Sequence, residues 1–233
     1  MNTIHLNIDK FLSYNPIKPG IVHKKKKLVY KYAPTTQSMM SFLDGQRYED
    51  VLSHVSLAKA FLYSRDEYWG YAMKYYERLT SIKTYFNRFN KDRNRIDQYV
   101  KELINVLIEL EKLELCYNDF HFNNVMVDEG GKPFLLDADH MRVEPDRKFL
   151  NFQRARLINF ILNIYTDSNY DLLNKFINEL ELKDYFSKDF VRYLGEGYKH
   201  YKVDELIPFF PLEFLNEFRD LDKMDEIKRI LER

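Results

Sequence analysis

The chain has 233 residues and 45% hydrophobic content, enough for one sizeable core or two smaller ones and too apolar for a disordered chain. Lysine plus arginine equals aspartate plus glutamate at 36 each, so no global field recruits nucleic acid or an anionic membrane. The single cysteine, Cys116, excludes an internal disulfide, and the absence of a Cys/His cluster excludes a structural zinc site, so a reducing cytosol is the expected setting.

The opening MNTIHLNIDK carries charge early and lacks the apolar region of a secretory leader. No run approaches the roughly 20 apolar residues of a membrane span, so a soluble chain without a membrane partner is expected. Tyr and Phe number 18 each, spread through apolar-periodic segments rather than along a basic stripe, which fits core packing better than base stacking. Gly20–His23 and Lys27–Tyr32 flank a lysine run and predict a short hairpin with a very basic turn. Residues Thr36 to His54 show helical spacing, with Gly45 weakening an unbroken helix. Ala58–Tyr63 and Tyr68–Tyr75 predict two strands separated by the turn Ser64-Arg65-Asp66-Glu67.

The pattern then changes near residue 77. From Ile96 to Leu115, apolar residues at Ile96, Tyr99, Val100, Leu103, Ile104, Leu107, Leu110 and Leu113 recur at helical spacing. Val125–Val127 and Phe134–Leu136 follow as strands around Asp128-Glu129-Gly130-Gly131-Lys132, a hairpin connection. Beyond residue 148 the spacing is helical again, over Phe149–Tyr165, Tyr170–Leu180, Asp189–Tyr198 and Pro211–Leu231. The expected class is therefore α+β, a β-rich part over residues 1–76 and a mainly helical part over 77–233 carrying one internal hairpin.

Directly after the long helix stands Tyr117-Asn118-Asp119-Phe120-His121-Phe122-Asn123-Asn124-Val125-Met126-Val127-Asp128, and after the hairpin Leu135-Leu136-Asp137-Ala138-Asp139. The order Asp-x4-Asn, strand, turn, strand, Asp resembles the catalytic loop and metal-binding segment of the protein-kinase-like superfamily. Phosphoryl transfer needs a carboxylate beside the attacking hydroxyl, with a separate amide and carboxylate holding Mg²⁺ against the nucleotide phosphates. The resemblance implies a two-lobed fold with a small β-rich N-lobe and a helical C-lobe. It implies Asp119 as the acceptor-orienting base, Asn124 and Asp137 as ligands of Mg²⁺ (or Mn²⁺), and ATP as donor. It also implies Lys31 as the strand lysine on the phosphates, Met73 at the back of the adenine site, and the Lys74-Tyr75-Tyr76 backbone, centred on Tyr75, against adenine. Glu49 is taken as the acid that orients Lys31, with Asp44 the alternative about one and a half helical turns earlier.

The departures from the family pattern carry information too. No Gly-x-Gly-x-x-Gly precedes Lys31; Pro19-Gly20 is the candidate phosphate-covering turn, and the run Lys24–Lys27 reads as a solvated hairpin tip. Tyr117-Asn118 replaces His-Arg before Asp119, removing the arginine that docks a phosphorylated activation loop. Ala138-Asp139 follows Asp137 in place of Phe-Gly, with no Ala-Pro-Glu after it, so the peptide-binding platform is almost absent; Asp139 is either a further metal carboxylate or a cap. His121 stands where typical Ser/Thr kinases carry Lys, which is similar to aminoglycoside and choline kinases and to atypical protein kinases such as haspin.

Three functions follow from the resemblance. The first is an atypical minimal Ser/Thr protein kinase with a protein substrate. The second is a small-molecule kinase of aminoglycoside or choline kinase type, and the third a pseudokinase interaction module. The Ile96 helix runs straight into the loop, without the helical insertion from which small-molecule kinases build an acceptor pocket, and this favours the first. The setting is cytoplasmic, in its own cell or in another cell into which such minimal kinases are delivered.

Overall fold

The computed structural model describes residues 3–5, 7, 20–23, 27–33, 48, 52–138, 141–143, 145, 147–167, 169, 171, 175 and 229. Mixed α and β structure falls into two compact units, Met1–Ser81 with Phe122–Val143, and Ile82–His121 with Glu144–Arg233. The expected helix over Thr36–His54, apart from its last residues, lies outside the described residues, and of the helices expected beyond residue 169 only Asp171, Lys175 and Arg229 are described, each in helix. At the end of that first segment Leu52 N–H donates to Tyr48 O at 2.9 Å, an i to i−4 bond.

The first unit is built on a five-stranded sheet. Its strands are β1 (Thr3–His5), β2 (Gly20–His23), β3 (Leu28–Tyr32), β4 (Ala58–Ser64) and β5 (Glu67–Lys74), in the spatial order β1-β4-β5-β3-β2. The expected hairpin is β2 with β3, antiparallel, Gly20 opposite Lys31. β4 and β5 form the second hairpin, Ser64 opposite Glu67, and the two residues between them, Arg65 (φ 48°) and Asp66 (φ 66°), are both left-handed. That is the conformation of a primed turn, whose twist matches the strands it joins. β5 is buried from Trp69 to Met73, which suits a central strand, and Trp69, Tyr30, Ala60, Leu62 and Ala72 form one apolar cluster. β1 joins β4 in parallel, Thr3 opposite Phe61, a pairing without a local sequence signal.

A three-stranded sheet completes this unit. It comprises β6 (Thr80–Ser81), β8 (Val125–Val127) and β9 (Pro133–Leu135), in the order β6-β8-β9. The β8–β9 turn closes through Asp128, whose N–H donates to Lys132 O at 2.9 Å and whose Oδ1 accepts from Lys132 N–H at 2.8 Å. Gly131, at φ 80°, supplies the left-handed residue this turn requires. Leu135 also exchanges backbone bonds with the segment before β4, donating to His54 O and accepting from Ser56 N–H, each at 2.8 Å.

The second unit is helical. It contains α1 (Ile82–Arg88), α2 (Arg93–Lys112), the short strand β7 (Leu115–Cys116) and α3 (Arg147–Thr166). α2 begins a turn earlier than the apolar spacing predicts because Asp92 caps it, accepting from Asn94 N–H at 3.0 Å. It stops where Glu114 turns left-handed at φ 57°. Its predicted apolar face is buried from Ile96 to Leu110, and Phe86 of α1 meets Tyr99 edge-on with ring centroids 5.5 Å apart. One polar residue on that face, Asp97, accepts from Tyr165 Oη of α3 at 2.6 Å. Burial and the neighbouring Asp97 carboxylate drive the Tyr165 hydroxyl far above its ordinary pKa, so it stays a donor. Among the described residues, no helix is long and apolar enough to cross a membrane.

Candidate functional site

In the first unit, alternation along β3 puts Lys31 half-buried on a strand whose neighbour, β5, crosses it at Tyr71. Its ammonium forms an ion pair with Asp137 Oδ1 and lies 5.9 Å from the centroid of the Tyr71 ring. Residues that are distant in sequence thus meet through the sheet and the hairpin. The close approach of the β3 backbone to β5 depends on Gly70, because a Cβ there would collide with the Lys31 carbonyl and crowd Ala33 N at 2.9 Å. Sequence reading did not single out Gly70; a glycine inside a strand pattern was the available signal.

The β8–β9 register explains how Asn124 joins them. Val125 stands opposite Leu135, and the next rung is the bond from Leu136 N–H to Asn124 O at 2.7 Å. Asn124 is therefore buried at the mouth of the hairpin, with Asp137 two residues past the opposite strand. Asp137 takes a left-handed backbone, φ 57°, a conformation aspartate tolerates better than most residues. One carboxylate and one carboxamide, both hard oxygen donors, fit Mg²⁺, which keeps several waters and takes its remaining oxygens from phosphates. Among the described residues no group of three or more His, Cys, Asp or Glu could hold a metal ion.

Met73 and Tyr75, expected from the resemblance on the adenine side, are placed as follows. Met73 is buried on β5, opposite Val29 and Ala58, and its sulfur lies 3.7 Å from Ser56 Oγ. Tyr75 N–H donates to Lys27 O at 2.8 Å, which commits that donor within the unit. Tyr75 also lines a cavity of about 400 Å³ with Lys27, His54, Lys74, Tyr76 and Phe134. Lys31, Asn124 and Asp137 do not line it. Tyr76 packs against Phe134 with the rings tilted by 56° and centroids 4.5 Å apart, and burial raises its phenol pKa against a hydrogen bond with Ser56 that lowers it. Glu49, Asp44 and Asp139 lie outside the described residues.

In the second unit, the loop after β7 is held from behind by α3. Tyr117 and Phe120 are buried and meet edge-on at 5.1 Å, which turns the residues between them outward. Gln153 Oε1 accepts from Tyr117 N–H at 2.5 Å, and Tyr117 Oη donates to the Asp119 carbonyl at 3.3 Å. Arg154 grips Glu111 of α2 with two bonds, 2.8 and 2.6 Å, in a mostly buried fork. Asp119 Oδ1 lies 3.4 Å from His121 Nε2 and 3.7 Å from Arg156 Nη2. Asp119 and His121 are thus brought together as a carboxylate–imidazole pair, and Arg156, which sequence reading missed, adds a permanent cation to them.

Neither a protein-family model nor a curated protein matches the sequence.

Proposed function

We propose that the protein is a Mg-ATP-dependent phosphotransferase with a two-lobed protein-kinase-like fold, acting in a reducing cytosol and transferring the γ-phosphate to a hydroxyl. The observation that carries this reading is the Lys31–Asp137 ion pair with Asn124 one ladder rung away. These are the lysine, amide and carboxylate that the sequence order assigns to the nucleotide phosphates and their metal.

Phosphoryl transfer asks mainly for positioning and charge neutralisation. Lys31 holds phosphate oxygens with its ammonium, while Asn124 and Asp137 supply two oxygens to Mg²⁺. When bound, the ion neutralises charge on the β- and γ-phosphates. In this reading the Lys31–Asp137 pair would open, Lys31 turning its ammonium to a phosphate oxygen and Asp137 its carboxylate to the cation. Asp119 orients the acceptor hydroxyl and takes up its proton; His121, on the same loop, offers a donor to the transferred phosphoryl group.

We take the acceptor to be a Ser or Thr hydroxyl of a protein, because α2 runs into the loop with only β7 between them. A small-molecule acceptor is the second reading, favoured by His121 and by the short stretch from Asp137 to α3, which leaves little chain for a peptide platform. The pseudokinase reading is disfavoured by the joint presence of Lys31, Asn124, Asp137 and Asp119.

The test is transfer from γ-labelled ATP into a cell lysate, separated into protein and small-molecule fractions, with Asp119→Ala as control. Label in protein bands that vanishes in the variant is the expected result. Label confined to small molecules selects the second reading. No label, with Mg-ATP still raising the melting temperature, selects a pseudokinase. Neither label nor stabilisation overturns the proposal.

A further inference from the structure

We propose that Arg156 is a positioning residue for transfer, an arginine delivered from α3 that holds the Asp119 carboxylate from behind the loop. This rests on Asp119 as the acceptor-orienting group.

The geometry is that of an anchor. The Arg156 side chain is 11% exposed and Asp119 31%, so the cation sits inside and the carboxylate reaches outward from it. The guanidinium lies 5.6 Å from the centroid of the Phe152 ring, one helical turn back, which limits the directions it can point. Between them on the helix, Gln153 fixes the loop backbone at Tyr117 N–H. One helical turn therefore grips the same loop twice, at the backbone before Asp119 and at its carboxylate. Arginine suits this place because it stays charged at any working pH and its planar fork loses little freedom per contact.

The separation of 3.7 Å matters for what the pair can do. It is longer than the roughly 2.7–2.9 Å of a tight charge-assisted hydrogen bond, so the pair is a charge contact that contributes little to stability. A base that must meet a hydroxyl in a near-attack geometry is sensitive to a carboxylate turned away by about an ångström. Loss of Arg156 is therefore expected to appear in the rate of transfer, with nucleotide binding by Lys31, Asn124 and Asp137 unchanged.

The experiment uses the full chain, with Mg-ATP consumption as the readout and water or the protein itself as acceptor. Kinetics and melting temperature are compared for wild type, Arg156→Met and Arg156→Lys. The expected result for Arg156→Met is a fall in kcat of about a hundredfold, with KM for Mg-ATP within about twofold of wild type. Arg156→Lys, which keeps the charge without the fork, falls between the two, with kcat about tenfold below wild type at unchanged KM. Wild-type kcat in Arg156→Met, or a KM that rises in step with the loss, overturns the inference. Should Arg156→Met fail to fold, Arg156→Lys decides: a drop of about tenfold in kcat at unchanged KM supports the role, and wild-type kcat overturns it. A wild type that consumes no ATP overturns the parent reading and this inference together, whereas activity untouched by either substitution overturns this inference alone.

Discussion

Asp137 and Asp119 are both partly exposed carboxylates at the centre of the proposed chemistry, and the two units hold them by different means. In the first unit the backbone does it. Asp137 follows a strand whose rungs fix Asn124 beside it, takes a left-handed φ, and meets a lysine on β3, whose backbone packs tightly on β5 at Gly70. In the second unit side chains do it. Asp119 sits in a loop without ladder bonds, and Gln153 and Arg156 of α3 reach across to hold it. Groups held by backbone should be disturbed by changes of backbone space, and groups held by side chains by truncation.

The largest effect expected is on turnover. Asp119→Ala removes the acceptor-orienting carboxylate and should lower kcat by on the order of 10²–10⁴-fold in a phosphate-transfer assay. Because the groups proposed to hold the nucleotide belong to the other unit, any rise in melting temperature that Mg-ATP gives the wild type should persist. Loss of that rise in Asp119→Ala would dissolve the distinction between the two groups.

Next comes the side-chain scaffold of the second unit. Arg154→Ala leaves Glu111 mostly buried without its fork and should cost about 3–5 kcal/mol of stability, measured by urea unfolding. A cost under about 1 kcal/mol would mean that α3 is held on α2 without help from this ion pair.

Gly70→Ala tests the backbone side. The added methyl meets the Lys31 carbonyl and should cost about 1–3 kcal/mol by overpacking. It should also weaken Mg-ATP binding about tenfold, as Lys31 is pushed from its place. Destabilisation with unchanged nucleotide affinity would separate Gly70 from the site.

These predictions mark how unevenly the molecule was written in its sequence. The β2–β3 and β4–β5 hairpins, α2, and the β8–β9 hairpin were legible because each has a period and a turn of its own. The parallel pairing of β1 with β4 was not, since neither strand carries a mark of the other. α1 is a single short helix following β6, too brief for its periodicity to register. The site divides in the same way. Asp119, Asn124 and Asp137 stand in one local pattern, whereas Arg156 and Gln153 look like ordinary polar positions of a helix until the loop is placed against them. Asp97 shows the same limit: an acid on an apolar helix face is explained only by Tyr165 on α3.

Two smaller effects follow from that helical core and its rim. The Tyr165 hydroxyl is held protonated in the folded state, so above about pH 10 the unfolded chain loses this proton and the folded chain keeps it. Its contribution is complete below that pH and falls as pH rises. Tyr165→Phe should remove this alkaline slope and cost about 1–2 kcal/mol at neutral pH, read by denaturant melts across pH. At the surface, the Lys91 ammonium holds Asp167 below the usual carboxylate range. Its contribution is complete above about pH 4 and is lost as pH falls further. Both side chains are more than half exposed, so Lys91→Ala should change stability by no more than about 0.5 kcal/mol, confined to that window and above.

The division of labour is tested most directly by calorimetric titration of Mg-ATP into wild type, Lys31→Ala and Asp119→Ala. The account predicts that wild type and Asp119→Ala bind with closely similar affinity and that Lys31→Ala binds at least about tenfold more weakly. Equal binding by all three proteins, or no binding by the wild type, would contradict it.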